Sequence, residues 1–230
     1  MPIYNRENQY VRLLSQGALS VKELAEKLFI SEPTVRRDVL VLQEKELAVC
    51  KRGIVTLKTG SPDQRIPLFI RDLEQNEGKQ VIARKAIEQV RDGYVILLDA
   101  STTAFHLLPH LADFKNVLVI TNGAKTALEA ASMGIRTIGV GGEMTPESFS
   151  YIGPDAEEVL SRYNADVAFF SCRGIADGLA TDNSIMENNL RRIMIKNAAR
   201  SFLLCDKSKF DKTYLNTLCH VKDIDGLISD

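Results

Sequence analysis

The sequence predicts two parts, a small N-terminal winged helix-turn-helix and a larger α/β body built on a mostly parallel sheet. Three observations carry this. A Ser-x-Pro-Thr-Val-Arg-Arg-Asp stretch, Ser31 to Asp38, follows a helix-sized amphipathic segment after a very short connection. Beyond residue 79, six short apolar runs alternate with helical patterns, as strands buried on both faces of a parallel sheet do. Between the two regions Thr59 to Pro67 is rich in chain breakers and reads as a linker.

Taken in order, residues 5–15 supply a first helix with Tyr10, Leu13 and Leu14 for a small core. Ser20-Val21-Lys22-Glu23 has the spacing of a capping box, a hydroxyl with a carboxylate three residues on, and starts a helix over 21–28. Phe29-Ile30-Ser31 is then a tight connection. Ser31 is a ready N-cap, and Pro33 sits in the following first turn, where its missing N–H costs nothing. Val35, Val39 and Leu42 recur at i, i+4 and i+7, so Arg37 points away from that buried stripe and Thr34 and Arg36 flank it. Short polar and cationic groups at an exposed N-terminal end are what a recognition helix carries into the major groove. Residues 47–57 read as two short strands turning at Lys51 to Gly53, a wing with Lys51 and Arg52 at its tip.

Through Lys58 there are ten Lys/Arg against seven Asp/Glu, hence +3 in a chain of net −1. The positive charge gathers where double-stranded DNA would lie. We therefore expect Ser31, Thr34, Arg36, Arg37, Lys51 and Arg52 to contact DNA. A helix-turn-helix used for protein contacts alone fits poorly with so cationic an exposed end.

In the body, strands are expected at 94–98, 117–120, 137–140, 167–170, 202–205 and 227–228, with helices at 79–90, 102–111, 124–132, 156–162 and 185–200. The expected domains are 1–58 for the head, 59–74 for the linker and 75–230 for the body. Ligands of such sheets bind off the carboxyl ends of the strands, and polar groups cluster there. Asp99, Ser101, Thr102 and Thr103 follow the first strand and open a helix, a cradle suited to phosphate. Asn122 ends the second strand and Gly141 with Gly142 the third, where a backbone can approach a ligand closely. Asp206, Lys207, Ser208 and Lys209 end the fifth, adding cations for a phosphate and a carboxylate for hydroxyls.

No apolar run approaches the ~18 residues of a membrane span, and no signal-like core opens the chain, so a cytoplasmic location is expected. Cys50, Cys172, Cys205 and Cys219 are too dispersed for a disulfide framework or zinc knuckle, and three of them sit in or beside apolar runs, where inert core thiols are expected. His106 and His110 have i, i+4 spacing, but Pro109 intervenes and no carboxylate follows at metal-site spacing. Neither metal nor cofactor is expected.

Val21 to Leu57 resembles the winged helix-turn-helix of the DeoR family of bacterial transcription regulators, whose Thr-[Val/Ile]-Arg-Arg-Asp run is matched throughout by Thr34 to Asp38. The resemblance extends over the body. The family's Asp-x-[Gly/Ser]-Thr-Thr, Thr-Asn, Gly-Gly and Asp-x-Ser-Lys segments are matched in order at Asp99 to Thr103, Thr121-Asn122, Gly141-Gly142 and Asp206 to Lys209. The resemblance implies a sensor domain of the ribose-5-phosphate isomerase/CoA-transferase-like fold and a repressor of carbohydrate-utilisation genes released by a phosphorylated sugar. A single head of net +3 offers few phosphate contacts, so a homo-oligomer, dimer or tetramer, is expected. The family carries a lysine on the helix before the last loop where Arg191 stands, which implies a phosphate ligand at Arg191. The wing has Gly53-Ile54 in place of the usual Gly-Gly. Relatives usually continue past Asp230 with a further helix and strand, implying a truncated form or a shorter sheet edge. The competing reading is an active sugar-phosphate isomerase fused to a DNA-binding head. Such isomerases resemble the body but carry an Asp-Gly-Ala-Asp-Glu run after the fourth strand. Here Phe170-Ser171-Cys172-Arg173-Gly174 holds no carboxylate, so binding without turnover is expected.

Overall fold

The computed structural model describes residues 3–14, 17–45, 47–57 and 76–230. The chain separates into two compact units, Met1–Glu74 and Gln75–Asp230. The expected linker, 59–74, lies outside the described residues.

In the first unit α1 (Ile3–Leu14), α2 (Val21–Leu28) and α3 (Glu32–Glu44) pack with three short strands, β1 (Leu19–Ser20), β2 (Ala48–Lys51) and β3 (Ile54–Leu57). The capping box forms as its spacing predicts. The Glu23 amide donates to Ser20 Oγ at 3.1 Å and the Ser20 amide to Glu23 Oε2 at 2.7 Å. The helix stops at Phe29, which turns left-handed at φ 54 and donates its N–H back to Ala25 and Glu26. Ser31 is the N-cap of α3 by backbone conformation, but its hydroxyl meets Thr34 Oγ1 at 2.9 Å and caps no amide. Tyr10, Val11, Leu24, Val35, Val39, Leu42 and Val55 close the core.

The strands form an antiparallel sheet in the order β1-β3-β2. Lys51 pairs with Ile54, leaving Arg52 (φ 51) and Gly53 (φ 79) as a two-residue turn. Both positive φ values are what a hairpin of right-twisted strands demands. Glycine takes this conformation freely and arginine does not. The wing therefore holds a cation at its tip at some cost in backbone strain.

The second unit is built on a six-stranded sheet in the order β14-β12-β9-β4-β5-β6, parallel throughout. Its strands are β4 (Val95–Leu98), β5 (Leu118–Thr121), β6 (Arg136–Gly139), β9 (Val167–Ser171), β12 (Ser201–Leu204) and β14 (Gly226–Ile228). Each expected strand is present within a residue or so of its expected ends. Side chains alternate across the sheet, so Ile96 and Leu98 enter the cluster on one face and Leu97 the cluster on the other. Helices Asn76–Ala86, Ala124–Ser132, Gly153–Ser161 and Ile185–Asn197 cover the strands.

The helix expected over 102–111 is instead two short pieces, Thr102–Phe105 and Leu108–Leu111. Pro109 is the cause, because it lacks an N–H and its ring clashes with the carbonyl four residues back. The sequence reading also missed a second, antiparallel sheet in the order β10-β11-β13, comprising Gly174–Ala176, Leu179–Asp182 and Asn216–His220. A signal for it was present. Asp177-Gly178, with φ 51 and 75, is an Asp-Gly hairpin turn between short runs of strand-forming residues. A small hairpin, β7 (Glu143–Met144) with β8 (Tyr151–Ile152), follows β6.

Candidate DNA interface and effector site

On α3 the apolar stripe is buried, while Arg36 and Arg37 are exposed and Thr34 half-exposed. Arg36 makes an exposed i, i+4 ion pair with Glu32 at 3.5 Å, an interaction too weak to hold it from another partner. Ser31, Lys51 and Arg52 are also exposed. Asp38, the last residue of the Thr-Val-Arg-Arg-Asp run, has a different job. It is buried, accepting from Arg6 Nε at 2.8 Å, Arg6 Nη2 at 3.1 Å and the Tyr10 hydroxyl at 3.2 Å. This forked pair ties α3 to α1 and holds the recognition helix at its angle. Burial, reinforced by the Asp38 charge, pushes the Tyr10 phenol up, so it donates at every physiological pH.

In the second unit the carboxyl ends of β4, β5, β9 and β12 bring the expected polar clusters to one edge of the sheet. Asp99 is 1% exposed and spends both oxygens on the chain: Oδ1 accepts from the Ser101 amide and hydroxyl, Oδ2 from the Ser171 amide and Arg191 Nε. Ser101 in turn caps the short helix through the Ala104 amide. Thr102 and Thr103 are buried behind it. Lys209 Nζ lies 2.8 Å from Ser171 Oγ and 3.5 Å from Thr103 Oγ1, joining the ends of β9, β4 and β12. Lys207 and Ser208 are exposed beside it.

Asp206 is buried, accepts from the Ser208 amide and hydroxyl, and lies 3.5 Å from Lys209 Nζ. Burial works to raise its carboxyl, but Lys209, the Ser208 hydrogen bonds and the charge of Lys79 outweigh it and hold the group below its ordinary value. Lys79, 2% exposed on the helix Asn76–Ala86, was missed from sequence because it sits in a plain amphipathic pattern.

Asn122 is 2% exposed. Its Nδ2 donates to the Tyr151 carbonyl at 3.3 Å, while its buried Oδ1 has no partner among the described residues. Gly141 and Gly142 both have positive φ, 72 and 109. A side chain at 142 would also press on the Ile152 carbonyl and Ala156, whereas the space beside Gly141 is open.

Arg191 is not placed as a free cation. Its guanidinium is 5% exposed and bonds Asp99 and Asp182, each at 2.9 Å, and Asn188 at 3.0 Å, with Glu187 at 3.4 Å. Burial opposes its charge, and Asp182, Asp99 and Glu187 outweigh that and hold it protonated. Glu187 Oε1 also accepts from Ser148 and Ser150, both at 2.7 Å, which fastens the β7–β8 loop to the same cluster. Asp182, Glu187, Asn188 and Ser171 were not singled out from sequence. They come from separate elements, and no local spacing joins them. Among the described residues no group of three or more His, Cys, Asp or Glu is placed to hold a metal.

A winged helix-turn-helix with a cationic recognition face, carried in one chain with a parallel α/β unit whose strand ends gather hydroxyls and cations, defines a ligand-responsive transcription regulator. Residues 6–59 match the DeoR-like helix-turn-helix domain and residues 74–230 the DeoR C terminal sensor domain. The chain belongs to the DeoR family. It is similar to the L-fucose operon activator of Escherichia coli, 31% identical over 95% of this chain and 90% of that protein. It is also similar to the transcriptional regulator GolR of Listeria innocua, 32% identical over 99% and 90%, and to the lactose phosphotransferase system repressor of Staphylococcus epidermidis, 26% identical over 99% and 92%. These relatives are regulators, and the chain is a regulator rather than an enzyme. Among solved structures, the fold is shared with the translation initiation factor eIF-2B of Pyrococcus horikoshii, at a TM-score of 0.50 and 14% identity over 99% of this chain and 88% of that one. Ribose 5-phosphate isomerase of Methanocaldococcus jannaschii aligns over 60% of this chain and 55% of its own, at a TM-score of 0.45 and 19% identity.

Proposed function

We propose that this protein is a cytoplasmic repressor of carbohydrate-utilisation genes, whose head (1–58) reads double-stranded operator DNA and whose body (75–230), beyond the linker 59–74, binds a phosphorylated sugar. The observation that carries the reading is the convergence of Ser101, Thr102, Thr103, Ser171 and Lys209 at the carboxyl ends of neighbouring strands, with Lys209 reaching Ser171 Oγ at 2.8 Å. Lys209, with Lys207 and Ser208 beside it, supplies the charge and donors for the phosphate. The unpartnered Asn122 Oδ1 and the open side of Gly141 leave room and an acceptor for sugar hydroxyls. Asp99, Asp206 and Arg191 act as positioning residues, because their polar atoms are already taken up by neighbours in the chain.

Lys209→Met tests the assignment. A thermal-shift screen of sugar monophosphates should stabilise the wild type, by roughly 2.7 kcal/mol at a hundredfold excess over the dissociation constant. The variant, whose unliganded midpoint falls with the loss of the Asp206 ion pair, should gain little further shift from the ligand relative to its own unliganded midpoint. An undiminished shift would place the phosphate elsewhere. Among the relatives' names are an activator and a repressor, and a reporter driven from the operator, with and without the sugar phosphate, reads which way control runs here.

Two heads on one operator are needed for useful specificity, since a head of net +3 offers few phosphate contacts. We therefore propose a homodimer or homotetramer reading half-sites about 34 Å or a multiple apart. Sedimentation at micromolar concentration checks it, and a strict monomer would overturn it.

A further inference from the structure

Phe170 pairs with Leu203 in the parallel ladder of β9 and β12, and Ser171 with Leu204. Both Phe170 and Leu203 lie in the cluster that also holds Cys172 and Cys205. Side chains return to the same face of a strand every second residue, so the next rung on that face brings Cys172 opposite Cys205. The Cys205 thiol donates to the Asp206 carbonyl at 3.7 Å. Neighbouring strands run about 4.8 Å apart, within the Cα separations of about 4.4–6.8 Å at which disulfides form.

From this rung we propose that Cys172 and Cys205 are an oxidative modification site, which a two-electron thiol oxidant such as hydrogen peroxide converts to an intrachain disulfide across β9 and β12. Cys172 is the point of entry. It keeps 4% exposure where Cys205 has none, and it follows Ser171 at the polar end of the sheet. Interaction with the neighbouring Cys205 thiol, aided by the charges of Lys209 and Arg191, outweighs burial and holds the Cys172 thiol below its ordinary value, and the thiolate is the reactive form. The same contact, together with burial, holds Cys205 up as the protonated partner. The Cys172 thiolate attacks one peroxide oxygen and the O–O bond breaks, giving a sulfenic acid and hydroxide. The Cys205 sulfur then attacks the sulfenic sulfur, an S–S bond forms, and the sulfenic oxygen leaves as water with the Cys205 proton. Two electrons leave the thiol pair and two enter the peroxide. The bond would sit between Ser171, which contacts Lys209, and Asp206, which caps the Lys207–Lys209 turn.

The test uses the full chain, reduced, then exposed to hydrogen peroxide and mapped by mass spectrometry without reduction. The expected product is lighter by two hydrogens, carries the peptides of Cys172 and Cys205 joined, and reverts with dithiothreitol. Cys205→Ala should stop at the sulfenic acid, captured on Cys172 by a 1,3-diketone, and Cys172→Ser should block both products. If Cys50, half-exposed in the head, is oxidised in a wild-type sample whose Cys172 and Cys205 both remain free thiols, the proposal is overturned. A linkage from Cys172 to Cys219 in place of Cys205 would overturn it equally.

Discussion

Arg191→Ala is expected to lower the thermal midpoint of the C-terminal unit by about 6–20 °C. The side chain it removes is 5% exposed and neutralises Asp99 and Asp182, which are 1% and 4% exposed. Breaking a buried pair by deleting one partner costs roughly 3–5 kcal/mol, because the surviving charge has neither water nor partner. Each kcal/mol moves the midpoint of a domain this size by about 2–4 °C. Arg191→Lys should recover little of the loss, since an ammonium cannot reach two carboxylates and the Asn188 amide as a planar fork does. Differential scanning calorimetry of the unliganded protein measures both variants. A variant of wild-type stability that has lost its response to sugar phosphates would instead make Arg191 a ligand residue, the role its family resemblance suggests.

The double variant Arg36→Ala, Arg37→Ala should bind an operator, selected from random DNA by the wild-type protein, between about 30-fold and 20,000-fold more weakly. An arginine reading a base edge is worth about 1–3 kcal/mol, so the two together give roughly 2–6 kcal/mol, with some coupling because they are adjacent. The head should stay folded. Both side chains are exposed, and the buried groups that hold α3, Asp38 with Arg6 and Tyr10, are untouched. Lys51→Ala or Arg52→Ala at the wing should chiefly reduce the salt dependence of binding, by about one unit of slope for each DNA phosphate that is no longer neutralised. Gel shifts over a salt series separate the two cases, and unchanged affinity in the double variant would remove α3 from the groove.

What the residues alone determined here is local. The Ser20–Glu23 box, the Ser31 N-cap conformation, the i, i+4, i+7 stripe of α3 and the six apolar runs each depend on neighbours within a few positions, where backbone geometry converts spacing directly into structure. The candidate site was half legible for the same reason: hydroxyls, glycines and lysines just after apolar runs had to fall at strand ends. The Asp177-Gly178 turn was equally local and was overlooked. What the tertiary structure decided is which of those polar groups remain available. Arg191 and Asp99 are 92 positions apart, and no sequence period records that one guanidinium would be enclosed by Asp99, Asp182 and Glu187, or that Lys79 would be buried within reach of Asp206's charge. Burial and charge pairing depend on which elements pack together, and a buried charge must find its partner from whichever strand or helix the fold sets beside it.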